Sequence, residues 1–248
     1  MIKAYFLSDI HIKDEKESNS EKLLLFLHEI ENGIRPASHV FLVGDIFDLW
    51  IHNHAYFVDK YSKIVNAIRT VVNKGVEVHY FEGNHDLYLK KFWQQDVGVR
   101  VHDGPVFFNL GSKVVRVEHG DFMNPDDKGY LFLRKFLRSF PMTTVAKNLP
   151  GSIVQKIGER ASRASRHYTS HQKKLEDQKV LAFMHNYAEE VVKERFFDFL
   201  ISGHTHIRDE YIFSNAEGEE VVSINLGSWF DDQKVLCMTE EGYNFIDL

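Results

Sequence analysis

A single cysteine, Cys237, stands in a chain of 248 residues, so no intramolecular disulfide can staple the fold. Thiols this scarce fit a reducing cytoplasm, and Cys237 reads as a buried strand residue. Long hydrophobic runs are lacking too: none approaches the roughly 18 residues needed to span a bilayer. The N-terminal MIKAYFLSDIH has no basic region followed by an apolar stretch of signal length. The expectation is a soluble or peripheral protein, without an integral anchor. Internal repeats and low-complexity tracts are also missing. Hydrophobic content of 44% and a charged fraction of 27% are ordinary for a globular chain. The length suits one domain over 1–248 with room for an insertion.

Acid is nearly absent from one stretch. Between Lys128 and Lys174 there are 11 Lys or Arg and one acid, Glu159. The whole chain carries −6, so the remainder carries about −16. A solvated helix surface explains most charge runs, but this concentration equally suits an anionic partner.

The first 122 residues alternate apolar strands with amphipathic helices. Strands are expected at 4–7, 40–43 and 76–81, and helices at 21–30 and 56–73. Residues 106–109 and 114–118 read as a strand pair turning at Gly111. Residues 123–194 break the pattern and show helical periodicity, with Phe132, Phe136 and Phe140 at every fourth position. Val180, Phe183, Tyr187 and Val191 form another helical face, and Pro141, Pro150 and Gly151 punctuate the segment. Strands resume before GHTH, followed by pairs turning at 215–218 and 239–242. The reading is an α/β fold with a helical insertion at 123–194.

Five short patches follow apolar runs: SDIH, GDIFD, GNHD, HGD and GHTH. They supply Asp9, His11, Asp45, Asn84, His119, His204 and His206. Every one is an oxygen or imidazole donor, suited to hard or borderline divalent metals. Asp9 and His11 are two apart at a strand end, so both side chains can point one way, and His204 and His206 repeat that spacing. Gly44, Gly83 and Gly203 let the backbone approach beside the ligands, where a Cβ would crowd. A lone Asp after a strand is usually a turn former or cap. Five such patches on one side of one sheet are not accounted for by that reading.

The set, in this order, resembles the calcineurin-like metallophosphoesterases, whose blocks read D-x-H, G-D, G-N-H-D, H and G-H-x-H. The resemblance implies a β-sandwich flanked by helices and two metal ions. By it, Asp9, His11, Asp45 and His206 hold one ion; Asp45, Asn84, His119 and His204 hold the other, Asp45 bridging. Ions roughly 3.5–4 Å apart can hold the attacking and phosphoryl oxygens together. The ligand set favours two Mn²⁺, with Fe or Zn as the family's other choices. His85 matches a position that contacts phosphate and protonates the leaving group, and Asp86 would orient it.

GDIFDLWI and the run from His119 to Ser139 resemble one branch, the UDP-2,3-diacylglucosamine diphosphatases of lipid A synthesis. That branch splits a lipid-nucleotide pyrophosphate and carries an inserted helical lid. The resemblance implies substrate contacts from Asn84, His85, Asp127 and His204, from Ser162 or Ser165, and from Lys173 or Lys174. Thr169 or Ser170 would stand in for an Asn of the branch. It also implies a cytoplasmic protein peripheral to the inner membrane, meeting its surface through the basic insertion. One position departs: His85 stands where the branch usually has Arg. The alternatives are a phosphodiesterase or phosphatase on another nucleotide or lipid, and a non-catalytic scaffold of the same fold. Nucleic acid is not an expected partner, because the acidic remainder opposes it.

Overall fold

A computed structural model describes residues 2–151, 153–156, 177–230 and 232–248. In chain order the elements begin with β1 (Lys3–Leu7), α1 (Ser18–Glu31), β2 (His39–Leu42) and β3 (Trp50–Ile51). Next come α2 (Ala55–Lys60), α3 (Ser62–Asn73), β4 (Glu77–Phe81), β5 (Asp86–Leu87) and a π-helical turn at Lys90–Val97. β6 (Arg100–His102), β7 (Val106–Leu110) and β8 (Lys113–Val117) lead to α4 (Lys128–Leu137), α5 (Phe140–Asn148) and α6 (Asp177–Glu194). The chain closes with β9 (Phe199–Ser202), β10 (Asp209–Ser214), β11 (Glu220–Asn225), β12 (Lys234–Thr239) and β13 (Tyr243–Asp247).

Two large sheets result, ordered β13-β12-β1-β2-β4-β6 and β10-β11-β9-β8-β7, and β3 pairs with β5 apart from them. Their inner faces share one apolar layer, in which Phe6, Phe41 and Leu236 meet Val117, Ile201 and Ile224. The outer face of the first sheet, through Tyr5, Leu7 and Tyr80, packs with Leu23, Phe26, Ile64 and Ile68 of α1 and α3. Residues alternate between faces along a strand, so a strand apolar on both faces is buried on both. All of Ala4–Leu7 is buried accordingly. The architecture is the expected α/β sandwich, with helices outside.

The expected helix over 56–73 breaks at Tyr61, whose φ of −115° separates α2 from α3. Tyr61 is buried against Phe47 and Trp50, and its hydroxyl donates to the Ile12 carbonyl. Packing overrides the continuous periodicity there.

The basic region is helical where described, but its helices have different settings. On α6, Ala188, Val191 and Val192 pack with Phe197, Leu200 and Val221, so α6 covers the outer face of the second sheet. α4 and α5 lie elsewhere, against the Trp50 side of the first core through Leu137, Ala146 and Leu149. Phe132 and Phe136 share α4, whereas Phe140 opens α5 after a break at Arg138–Ser139. Their side chains are 73%, 48% and 84% exposed, so they are not the core of a helical hairpin.

Candidate metal centre

The ends of β1, β2, β4, β8 and β9 point at one place, and the five patches leave from there. Backbone hydrogen bonds bind the turns together: Asp9 N–H donates to Gly44, His11 N–H to Asp45, and Gly203 N–H to His119. Asp9, His11, Asp45, His204 and His206 all adopt φ between 51° and 68°. Non-glycine residues rarely enter this left-handed region, and such strain concentrates at functional sites. Two glycines permit the close approach. A Cβ on Gly83 would lie 2.0 Å from Asp45 Oδ1, and one on Gly203 would lie 2.4 Å from Asp9 Oδ2.

His11 Nε2 and His206 Nε2 are 3.1 Å apart. Asp9 Oδ1 lies 3.3 Å from His206 Nε2 and 3.8 Å from His11 Nε2. Asp9 is fully buried, yet this oxygen has no well-formed hydrogen bond. Asp45 Oδ2 reaches both sides of the site, 3.9 Å from His11 Nε2 and 3.6 Å from His119 Nε2. On the far side, Asn84 Oδ1 is 3.0 Å from His204 Nδ1 and 3.3 Å from His119 Nε2. All seven expected ligands are therefore brought together. The orphaned oxygen of Asp9 and the facing imidazole nitrogens fit cations, because converging lone pairs need positive charge between them.

Electrostatics prepare the same state. Burial pushes the His11 imidazole down to about 4, and burial with the neighbouring His119 does the same to His204. Both rings are neutral near pH 7, as metal ligation requires. Burial would raise Asp9, but His206, His119 and His11 hold it well below the usual carboxylate range. His119 is buried too, yet Asp45, Asp9 and Asp121 raise it. Its Nδ1 lies 2.8 Å from the Val43 carbonyl, which fixes Nδ1–H as donor and leaves Nε2 to bind.

His85 stands beside the centre, its ring 4.8 Å from that of His11. One expectation is corrected here. The ring is oriented by the Asp48 carbonyl, 2.7 Å from Nδ1, and not by Asp86. The Asp86 carboxylate instead accepts from Ile46 N–H at 2.8 Å, Tyr80 hydroxyl at 2.7 Å and Phe47 N–H at 3.4 Å. Burial, with Asp45 nearby, raises Asp86 well above the usual carboxylate range. It therefore braces the loop after β2.

Asp127 is exposed and caps α4, its carboxylate accepting from Tyr130 N–H at 2.9 Å. Ser162, Ser165, Lys173 and Lys174, with Thr169 and Ser170, lie outside the described residues. Residues not named as ligands or substrate contacts from the sequence also meet the site. Asp121, in HGD, accepts from Tyr130 hydroxyl at 2.9 Å and Arg134 Nε at 2.7 Å, which docks α4 at the metal centre. The Tyr130 ring lies 5.7 Å from that of His204. Phe230, half exposed, stacks on His11 at 5.3 Å. The second acid of GDIFD was the available signal for Asp48; nothing local marked Phe230.

A carboxylate oxygen of Asp45 set between imidazoles on both sides gives the donor arrangement of a dimetal hydrolytic centre. Residues 2–208 match the Calcineurin-like phosphoesterase family, and the chain belongs to it. It is accordingly a metal-dependent phosphoesterase. Relatives named UDP-2,3-diacylglucosamine hydrolase align nearly end to end. The protein of Histophilus somni is 25% identical, with 99% of this chain and 100% of the relative covered. That of Vibrio atlanticus is 26% identical over 98% and 96%, and that of Nitrosococcus oceani 27% over 98% and 94%.

Proposed function

We propose that this chain hydrolyses UDP-2,3-diacylglucosamine to UMP and 2,3-diacylglucosamine 1-phosphate, as a step of lipid A synthesis. Water adds across the pyrophosphate: the P–O–P bond breaks and a P–O bond to the incoming oxygen forms. The observation that carries the reading is the placement of α4. Its first two turns meet the metal centre through Tyr130 and Arg134, while Phe132 and Phe136 stand exposed on the same helix. A substrate with a pyrophosphate and two acyl chains needs polar and apolar recognition in this adjacency.

Asp9, His11, Asp45 and His206 would hold one ion, and Asp45, Asn84, His119 and His204 the other. When bound, the ions supply Lewis-acid charge that lowers the barrier to attack by water. The O/N ligand set without thiolate favours Mn²⁺, with Fe or Zn as the alternatives. Asp48 holds His85 through Nδ1, which leaves Nε2 as the atom to hand a proton to the departing oxygen. Asp127 and the serines and lysines of 162–174 complete the substrate contacts in this reading, and residues 123–194 act as the inserted lid of a single domain. No helix among the described residues is long and apolar enough to cross a membrane. The exposed phenylalanines and the lysines and arginines beside them suit peripheral contact with the cytoplasmic face of the inner membrane.

The test compares Mn²⁺-stimulated cleavage of UDP-2,3-diacylglucosamine with that of a simple aryl phosphodiester. Release of UMP with the lipid substrate strongly preferred is the expected outcome. Turnover of the aryl diester alone would overturn the lipid assignment.

A further inference from the structure

A cavity of about 470 Å³ opens between α5 and the body of the protein. Its walls include His52, Tyr88, Lys90, Lys91, Arg138 and Lys147, with Glu82 and Asp103 as the acids. Lys90 is paired with Asp103 at 3.0 Å, and Arg138 approaches Glu82 at 3.8 Å. Lys91 and Lys147 have no ion pair or hydrogen bond among the described residues, so the cavity holds uncompensated positive charge.

Three further observations point to a ligand. His52 is only 6% exposed and its Nδ1 has no hydrogen-bond partner; Arg138 Nε is buried and unpartnered as well. Buried polar atoms normally find partners, yet two residues of this one cavity wall each keep an unpartnered nitrogen. Second, burial pushes His52 down to about 4, and Lys147 and Lys91 push it in the same direction, so their ammonium charges bear on the imidazole. Third, seven non-glycine residues among those described have left-handed φ. Five are the metal-centre residues; the other two are His52, at 57°, and Tyr88, at 60°. Histidine enters this region more readily than most residues, but Tyr88 is an outlier for a bulky residue.

The cavity is also held in shape. The Tyr88 hydroxyl donates to the Leu137 carbonyl at the end of α4, and His54 Nε2 lies 2.8 Å from the Ala146 carbonyl of α5. Arg138 Nη2 lies 3.4 Å from the carbonyl of Gly83, next to the candidate ligand Asn84.

We propose that this cavity is a phosphate-binding site distinct from the metal centre, with Lys91, Lys147 and Arg138 supplying charge and His52 a directed hydrogen bond. A phosphate oxygen accepts from each, and the group is small and doubly charged enough to satisfy both free lysines. The phosphate can belong to a soluble monoester or to an anionic lipid headgroup. The site does not depend on the substrate proposed above.

The probe is inorganic phosphate, titrated at constant ionic strength into the metal-loaded protein, with the His52 imidazole followed by NMR. The expected result is a saturable shift of the His52 signals, with affinity falling tenfold or more in the double variant K91Q/K147Q at unchanged Tm. A His52 signal that stays still while phosphate saturates the metal centre would overturn the site. Equal affinity in the double variant would overturn it too. A second arm sediments both proteins with phosphatidylglycerol vesicles. Loss of sedimentation with the double variant, beside lost phosphate binding, assigns the phosphate to a lipid headgroup. Lost phosphate binding with unchanged sedimentation assigns it to a soluble ester.

Discussion

At the metal centre Asp9, Asp45 and His119 are sealed between strand ends, while on α4 and α5 Phe132, Phe136 and Phe140 face water. Each region reverses the usual address of its residues, since charged groups seldom lie buried and large aromatics seldom stand open. The two departures have different physical supports. Buried carboxylates persist because imidazoles and backbone N–H groups surround them: His204 N–H donates to Asp9 at 2.9 Å, and His85 N–H to Asp45 at 2.9 Å. The phenylalanines have no such local compensation, so their benefit must come from what they meet outside the fold. The first region is tuned to chemistry and, in the function proposed above, the second to recognition.

That division can be broken by substitution. The largest effect is expected from Asp45→Asn, which removes the bridging charge while keeping the shape. Turnover should fall on the order of 10³-fold or more for every substrate, with bound metal reduced. Retained metal and turnover would show that Asp45 does not bridge. His85→Ala comes next: kcat should drop about 10²–10⁴-fold with KM little changed. Full activity at saturating substrate would refute its role as the acid.

Pairing Phe132→Ser with Phe136→Ser sharpens the comparison from the other side. Each lost aromatic contact is worth about 1.5 kcal/mol or more, so KM for the diacyl substrate should rise at least tenfold. The aryl diester should be cleaved as before. An equal loss on both substrates would move α4 from recognition to support of the centre.

The last test concerns stability alone. His79 is buried between strands with His102 at 2.9 Å, and burial with His102, Arg100 and His39 pushes it down to about 3. The unfolded chain therefore takes up this proton first as pH falls. Stability that is full above about 6.5 is lost towards 3, by at most about 1.4 kcal/mol per pH unit for this group. His79→Phe should flatten the fall in Tm between pH 7 and 4. An unchanged slope would place the loss at other groups.

The metal ligands were legible because strand ends, glycines and donor residues lie next to one another in sequence. The sandwich followed from strands apolar on both faces. Asp86 was misread because an acid beside a histidine suggests a pair, whereas its partners, Tyr80 and the Ile46 amide, come from the neighbouring strand and the loop after β2. The anchoring of Tyr130 and Arg134 was hidden for a similar reason: Asp121 lies outside their helix. The splitting of the basic segment, with α6 on the second sheet and α4 beside the first core, also depends on tertiary contacts that periodicity does not encode.

The left-handed turns at Asp9, His11, Asp45, His204 and His206 have a thermodynamic consequence. Such residues cost on the order of 1–3 kcal/mol each at the unfavourable end, and the like charges they gather add to that. Ions that bind only the folded arrangement return stability as RT ln(1 + [L]/Kd), about 4 kcal/mol at a thousandfold excess over Kd. Ion supply then governs how long the folded chain survives as well as how fast it turns over. Removing the ion should therefore lower Tm as well as activity.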